Sequence, residues 1–394
     1  MSKQELIAQA RSNLEHVRAG TQDQQPDVFR VPVGDYVDAD RFRAELDRVF
    51  RRLPLVAGFS CELREPGAYR ATEIAGVPIL VSRGHDGELR AFVNMCSHRG
   101  AIVVAEGSGS ARRFACPYHA WTYDQQGTLV GIPDRDDVGL EDTSCYGLTP
   151  LPVAERAGIV FVTPAINTEP AVDVDTFLGG YDEMLEHLGL DECTVVGEQR
   201  IEGPNWKVAY DGYLDFYHLP ILHKESFGPD MSSKALYHAW GPHQRVTSPD
   251  PRFERFEDLP DEEWDVDRLT GGVWTIFPHV SIAGFDVSGR VYMVSQLSPG
   301  PDVGRSVTTQ TFLFRGEPDD EQRALCEKQM AFLEQVVRDE DYATGLGIQR
   351  SISTGAKTEF VFGRNEGGGH RFHQWVGRLL DTDDADLSGV FSAG

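Results

Sequence analysis

A chain of 394 residues is long enough for about two domains and a large core. Its formal net charge of −25 speaks against nucleic acid and against anionic membrane surfaces as partners. There is no apolar run of transmembrane length, no signal-peptide pattern at Met1-Ser2-Lys3-Gln4-Glu5, and no disulfide scaffold in six cysteines, so a cytoplasmic, reducing compartment is expected.

The first fifty residues carry two helical patterns, Leu6, Ala10, Leu14 and Val17, then Phe42, Leu46 and Phe50. This arm, 1–50, is expected to pack on the later part of the chain and to carry no chemistry. From Leu55 to about Pro164 the pattern becomes β. Val77 to Val81, the turn Gly84-His85-Asp86-Gly87 and Leu89 to Met95 read as strand, turn, strand. Further strands are expected near Arg113 to Cys116, Trp121 to Tyr123 and Gly158 to Val162, with Asp124-Gln125-Gln126-Gly127 as a turn.

Within this β pattern stand Cys96-Ser97-His98 and Cys116-Pro117-Tyr118-His119, with seventeen residues between His98 and Cys116. Thiolates and imidazoles hold zinc or iron–sulfur clusters. In classical zinc fingers the two Cys come first and the two His share a helix. Here each half supplies one Cys and one His from a loop between β-like flanks. Two thiolates to one iron and two imidazoles to the other is the ligand set of a Rieske [2Fe–2S] centre. Zinc is the competing occupant. Cys61, Cys145, Cys193 and Cys326 read as ordinary core or surface thiols. Arg99, Arg112 and Arg113 form a basic spot, either a solvated face or a docking patch for an electron donor.

With Cys96-Ser97-His98-Arg99-Gly100 and Cys116-Pro117-Tyr118-His119-Ala120-Trp121-Thr122-Tyr123, the chain resembles the large α subunit of the Rieske non-haem iron (ring-hydroxylating) oxygenases. It departs from the family at Ala120, where Gly is usual. The resemblance implies an α+β fold: an antiparallel β Rieske [2Fe–2S] domain over 51–165, and a helix-and-antiparallel-sheet catalytic domain with mononuclear iron over 166–394. A second iron site is then expected downstream.

Asn167 to Asp175, with Pro170, reads as a linker, Phe177 to Leu188 as a helix, and Thr194-Val195-Val196 as the start of a new β pattern. The key stretch is Gly203 to His223. Pro204 suits a first helical turn, and Trp206, Tyr210, Tyr213 and Tyr217 recur as one helix face. His218 and His223 would diverge by about 140° on an unbroken helix. Pro220 between them is expected to break or kink it, which lets both imidazoles converge. Two His and a carboxylate make the facial triad of non-haem Fe(II). A long helix is expected from Glu321 to about Gly345, opened by Pro318-Asp319-Asp320, with Arg338-Asp339-Glu340-Asp341 near its end.

The resemblance singles out Asp341, eight residues before Gln349-Arg350, as the carboxylate ligand, with Asp339 the alternative. It also implies that Asp215 hydrogen-bonds His218 from the same helix face and reaches His119 of a neighbouring subunit, and that Asn205 lies near the iron. Asp211-Gly212 stands where many relatives have Glu-Asn, and His279 where Asn is frequent.

Val273 to Ala283, Arg290 to Leu297 and Ser306 to Phe314 alternate like antiparallel strands of the catalytic sheet. Residues 231–267 read as a lid or a long surface loop. Gly367-Gly368-Gly369 lacks the Lys-Ser/Thr of a phosphate loop and reads as a flexible turn. Tyr213, Phe216, Leu222, Trp274 and Phe285 are candidate pocket residues. No dinucleotide fingerprint is present, so NAD(P)H is oxidised elsewhere, by a reductase with or without a ferredoxin. The expected activity is that of a terminal oxygenase, using these electrons and O2 to hydroxylate, dihydroxylate or oxidatively dealkylate a small organic substrate, aromatic or alicyclic. The family implies a head-to-tail homotrimer, with or without a small β subunit. The alternatives are a structural zinc-binding protein and a Rieske electron carrier without oxygenase activity.

Overall fold

Residues 2–166 and 171–392 are described by a computed structural model. The chain divides into two units. One comprises Phe50–Phe177 and Leu190–Glu192; the other comprises Met1–Val49, Leu178–Gly189 and Cys193–Gly394. The expected linker after Ile166 falls partly on residues 167–170, outside the described residues.

In the smaller unit, Val77–Arg83 and Leu89–Val93 pair antiparallel as expected, with Leu80 opposite Phe92. Both side chains are buried, because residues on the core face of paired strands meet directly. Ala68–Ile74, Gly107–Ser110 and Pro150–Leu151 complete a five-stranded sheet. A three-stranded sheet of Phe114–Ala115, Thr122–Tyr123 and Leu129–Gly131 lies beyond it in sequence. Asp124 Oδ1 holds the turn between its last two strands by accepting from Gln126 and Thr128 N–H at 2.9 Å. Leu80, Phe92, Phe114, Trp121 and Tyr123 share one core with Cys96 and Cys116. The two cysteines are therefore rooted in packed apolar surface.

The larger unit is built on a seven-stranded antiparallel sheet. Its order is Cys193–Gly203, Ser306–Arg315, Arg290–Pro299, Val280–Asp286, Val273–Ile276, His243–Thr247 and Leu236–Trp240. Val273 to Ala283 is therefore two strands rather than one. They turn at Phe277-Pro278-His279, where Pro278 has no N–H for the ladder. The segment 231–267 is not one plain loop: Leu236–Trp240 and His243–Thr247 within it are the two strands at one edge of this sheet.

Helices cover this unit. Ser2–Ala19 buries Leu6, Ala10 and Leu14, as its spacing predicts. Asp320–Val336 is opened by a capping box, with Asp319 Oδ1 accepting from Gln322 N–H at 2.8 Å. It runs on through a π-helical turn, Val337–Tyr342, into Ala343–Ile352, past the expected end at Gly345. Elsewhere, the expected helix Phe177 to Leu188 is interrupted by Gly179 and Gly180, with φ +56 and +86. Its pieces are Val174–Leu178 and Tyr181–Leu185, with a further 3-10 turn over Glu186–Leu188.

Gly367-Gly368-Gly369 is no flexible turn. The three residues are buried and open the helix Gly367–Asp381. A Cβ on Gly369 would lie 2.6 Å from the Phe362 ring, so close packing explains that glycine. Phe362 belongs to Glu359–Phe362, which pairs with Phe29–Pro32, a strand pair that no periodicity announces.

Candidate cluster loops, iron centre and cavity

The two Cys–His loops share one backbone pattern. Cys96 N–H donates to Ala101 O at 2.8 Å and Gly100 N–H to Cys96 O at 2.9 Å. Cys116 N–H donates to Trp121 O at 2.8 Å and Ala120 N–H to Cys116 O at 2.9 Å. The closing residue is left-handed in both, with φ +76 at Gly100 and +56 at Ala120. Each loop thus presents a buried sulfur at its base and an exposed imidazole at its tip. The rings of His98 and His119 are 4.7 Å apart, and His98 stacks on Trp121 at 4.7 Å. Burial, with the Cys96 sulfur beside it, pushes Tyr123 up to about 12. Tyr123 therefore keeps its proton at neutral pH, and its hydroxyl lies 3.2 Å from Cys96 Sγ. A hydroxyl aimed at a sulfur, with two thiols and two imidazoles drawn together, fits a Rieske cluster, whose potential hydrogen bonds to sulfur tune.

In the larger unit the helix Trp206–Asp211 begins at Asn205, not Pro204. Asn205 is its N-cap, and its side chain accepts from Lys207 N–H at 2.9 Å. The helix ends at Gly212, so Tyr213 and Tyr217 do not continue its face, and Tyr217 is 61% exposed. Pro220 does not break a helix either. It sits in the first turn of Leu219–Leu222, where a missing N–H leaves nothing unpaired. The unwound chain between the two helices brings the imidazoles together, with ring centroids 5.2 Å apart.

Each imidazole is held by an acid on its Nδ1. Asp215 Oδ1 lies 3.1 Å from His218 Nδ1 and accepts from His218 N–H at 3.2 Å. This contact is made through a turn rather than along a helix face, because Asp215 lies outside the helices. Glu340 Oε2 lies 2.6 Å from His223 Nδ1 and accepts from Ser226 Oγ at 2.9 Å. Both Nε2 atoms then face Asp341 Oδ1, at 3.8 Å from His218 and 3.3 Å from His223. One ligand atom from each of His218, His223 and Asp341 lies within 4.8 Å of the others. Burial draws the His223 imidazole down, but Asp341 and Glu340 outweigh it and raise its pKa. Asp339 points elsewhere and pairs with Arg338 at 2.8 Å. Two imidazoles and a carboxylate, each imidazole oriented by a further acid, fit a non-haem iron ligand set.

These three side chains open on a cavity of about 670 Å³, whose apolar wall includes Val208, Phe216, Leu222, Phe285, Met293 and Leu333. Of the candidate pocket residues, Tyr213, Phe216, Leu222 and Phe285 line it. Trp274 does not; its indole N–H donates to Thr270 O at 2.8 Å. Asn205 is likewise absent from the lining, its Nδ2 donating to Val303 O at 2.7 Å. His279 is buried away from the cavity, and burial pushes it down to about 3. Asp211 lines the cavity and accepts from Tyr36 Oη at 2.8 Å, with His373 Nε2 at 2.9 Å.

Sequence reasoning passed over Glu340, Tyr36, His373 and Glu366. For Glu340 a signal existed in the run Asp339-Glu340-Asp341. For Tyr36 and His373, which stand behind the cavity wall on Asp211, there was none, since they meet Asp211 only through the fold.

The family profile described as "Ring hydroxylating alpha subunit (catalytic domain)" matches residues 190–382, and that of the "Rieske [2Fe-2S] domain" matches residues 54–147. The chain is 33% identical over 225 residues to the glycine betaine monooxygenase oxygenase subunit of Chromohalobacter salexigens, covering 55% of this chain and 49% of that protein. It is 29% identical over 371 residues to the chloroplastic choline monooxygenase of Beta vulgaris, covering 90% and 78%. The match thus spans about half the length of the first of these relatives. In fold it is similar to the apo form of the quaternary ammonium Rieske monooxygenase CntA, with a TM-score of 0.73 at 24% identity over 90% of this chain and 97% of that one. With both profiles in place, and both ligand sets gathered as described, the chain belongs to the Rieske non-haem iron oxygenases, as a ring-hydroxylating α subunit.

Proposed function

We propose that this protein is the terminal oxygenase of a multicomponent system. For a hydroxylation, substrate C–H, O2, two electrons and two protons become C–OH and water. The electrons come from NAD(P)H through a partner reductase, with or without a ferredoxin. The observation that carries the reading is the set His218, His223 and Asp341, its ligand atoms within 4.8 Å of one another at the wall of a cavity of about 670 Å³.

Cys96, His98, Cys116 and His119 hold the [2Fe–2S] cluster, and His218, His223 and Asp341 hold the iron. When bound, the pair supplies electron storage and O2 activation. Asp215 and Glu340 fix the rings of His218 and His223 so that Nε2 of each faces the metal position. The apolar wall excludes water and holds the substrate. Among the described lining residues there is no Lys or Arg, while Asp211 and Glu366 face the space. The substrate is therefore a small neutral or cationic organic molecule. The names of two relatives, which cite glycine betaine and choline, support the cationic option.

The assembly is a head-to-tail trimer in which Asp215 of one subunit meets His119 of the next. Exposed apolar residues beside each partner support this, Tyr217 and Ile221 near His218, and Met95 and Tyr118 near His119. A cytoplasmic setting is also part of the proposal, supported by the free thiols of Cys61, Cys145, Cys193 and Cys326 outside the cluster.

The experiment is anaerobic purification followed by turnover with a surrogate reductase. Aromatic, alicyclic and quaternary-amine compounds are offered, and product mass is measured. A red-brown protein giving an O2-derived product is expected. A colourless, zinc-loaded protein without product overturns the reading.

A further inference from the structure

We propose that the larger unit carries a second small-molecule site that binds a small organic dianion, one bearing two carboxylate or phosphate groups. The site is a polar cavity of about 420 Å³ along the helix Gly367–Asp381. It shares no lining residue with the iron cavity. The first turn of the helix separates the two, with Gly367 facing this space and Gly369 the other.

The helix contributes one stripe to the cavity, Gly367, His370, Arg371, Gln374, Trp375 and Arg378. Spacings of three and four place these residues on a single face. Arg371 and Arg378 are two turns apart on it, about 10 Å along the axis. Neither guanidinium has a carboxylate partner among the described residues. Arg371 donates only to Gly241 O, at 2.6 Å, and the Arg378 guanidinium lies over the Trp375 ring at 5.0 Å. Arg371 is half-buried, and burial draws its pKa below the ordinary arginine value. It still stays charged at neutral pH.

A partly desolvated cation without a counter-ion is costly. Guanidinium–carboxylate and guanidinium–phosphate pairs are short, charge-assisted and bidentate, so an anion is the ligand that relieves that cost. Two such forks on one stripe call for two anionic groups on one molecule. Gln25 and Gln374 add amide donors to the lining. The acid in the lining, Asp23, is turned to its own partners. Its Oδ2 accepts from Tyr237 N–H at 2.7 Å, and Oδ1 lies 3.6 Å from His16 Nε2.

The test is calorimetric titration of the full, metal-loaded protein with adipate and with hexanoate, at fixed ionic strength. These probes share a six-carbon chain and differ in one carboxylate. Adipate is expected to bind at least tenfold more tightly than hexanoate. Arg371→Gln and the exposed Arg378→Gln should each lose at least tenfold of adipate affinity without change in cluster absorbance or iron content. Adipate binding should persist in Asp341→Ala, which separates this site from chelation at the iron. Equal affinity for both probes, no binding of either, wild-type affinity in Arg378→Gln, or loss of binding in Asp341→Ala overturns the proposal.

Discussion

Glu340 and Asp341 hold one imidazole from both ends. Glu340 Oε2 lies 2.6 Å from His223 Nδ1, and Asp341 Oδ1 lies 3.3 Å from His223 Nε2. Adjacent residues of a regular helix diverge by about 100°. Here both fall in the π-helical turn Val337–Tyr342, and such turns recur at functional sites. Glu340 therefore sets the tautomer that leaves His223 Nε2 free for metal. Glu340→Ala should lower iron affinity by roughly ten- to a hundredfold and leave the cluster in the other unit intact. Iron content and the visible spectrum of the same preparation check both halves.

The assignment of the carboxylate ligand separates two neighbours. Asp341→Ala should lose mononuclear iron and product formation while the red-brown colour persists. Asp339→Ala, which disturbs only the exposed pair with Arg338, should retain both. Swapped outcomes would make Asp339 the ligand.

Asp215 is the proposed bridge between centres in neighbouring subunits. Asp215→Ala should keep the cluster spectrum and most of the iron, yet nearly stop transfer of electrons from the reduced cluster. Asp215→Asn should be almost as poor, since it carries no charge. Single-turnover oxidation of the pre-reduced cluster with O2 and substrate reads this directly. Wild-type reoxidation in Asp215→Ala would sink the bridge.

The iron site should be pH-sensitive with a definite sign. In the metal-free protein Asp341 and Glu340 raise the His223 pKa despite burial. The protonated ring then stabilises the metal-free fold below the ordinary histidine pKa, and this contribution is lost as pH rises through the raised value. Metal needs the neutral ring, so iron binding should strengthen over that same rise. The gap in Tm between iron-loaded and metal-free protein is expected to widen as pH climbs through this window. A gap that narrows would contradict the assignment.

Ala120 holds φ +56 in a loop whose counterpart is closed by Gly100 at +76. A Cβ in the left-handed region costs about 1 kcal/mol. Ala120→Gly should therefore stabilise the cluster unit by about 1 kcal/mol, seen as a higher urea midpoint for cluster bleaching with an unchanged spectrum.

The sequence by itself determined whatever depends on near neighbours along the chain. The spacing of Cys96, His98, Cys116 and His119 announced the cluster loops, because each Cys–His pair sits on one tight turn. A strand–turn–strand pattern announced Val77–Arg83 and Leu89–Val93, and Pro318-Asp319-Asp320 marked a helix start. His218 and His223 were legible as a pair, but for a wrong reason. They converge because the chain unwinds after Gly212, and Pro220 merely opens the next turn. Only the tertiary structure decided what pairs across long separations. It brought Glu340 to His223, Tyr36 and His373 to Asp211, and Phe29–Pro32 to Glu359–Phe362. It also turned a glycine triplet into the close-packed start of a helix. Periodicity and propensity report what a segment buries, whereas the partner it is buried against is set by packing of the whole unit.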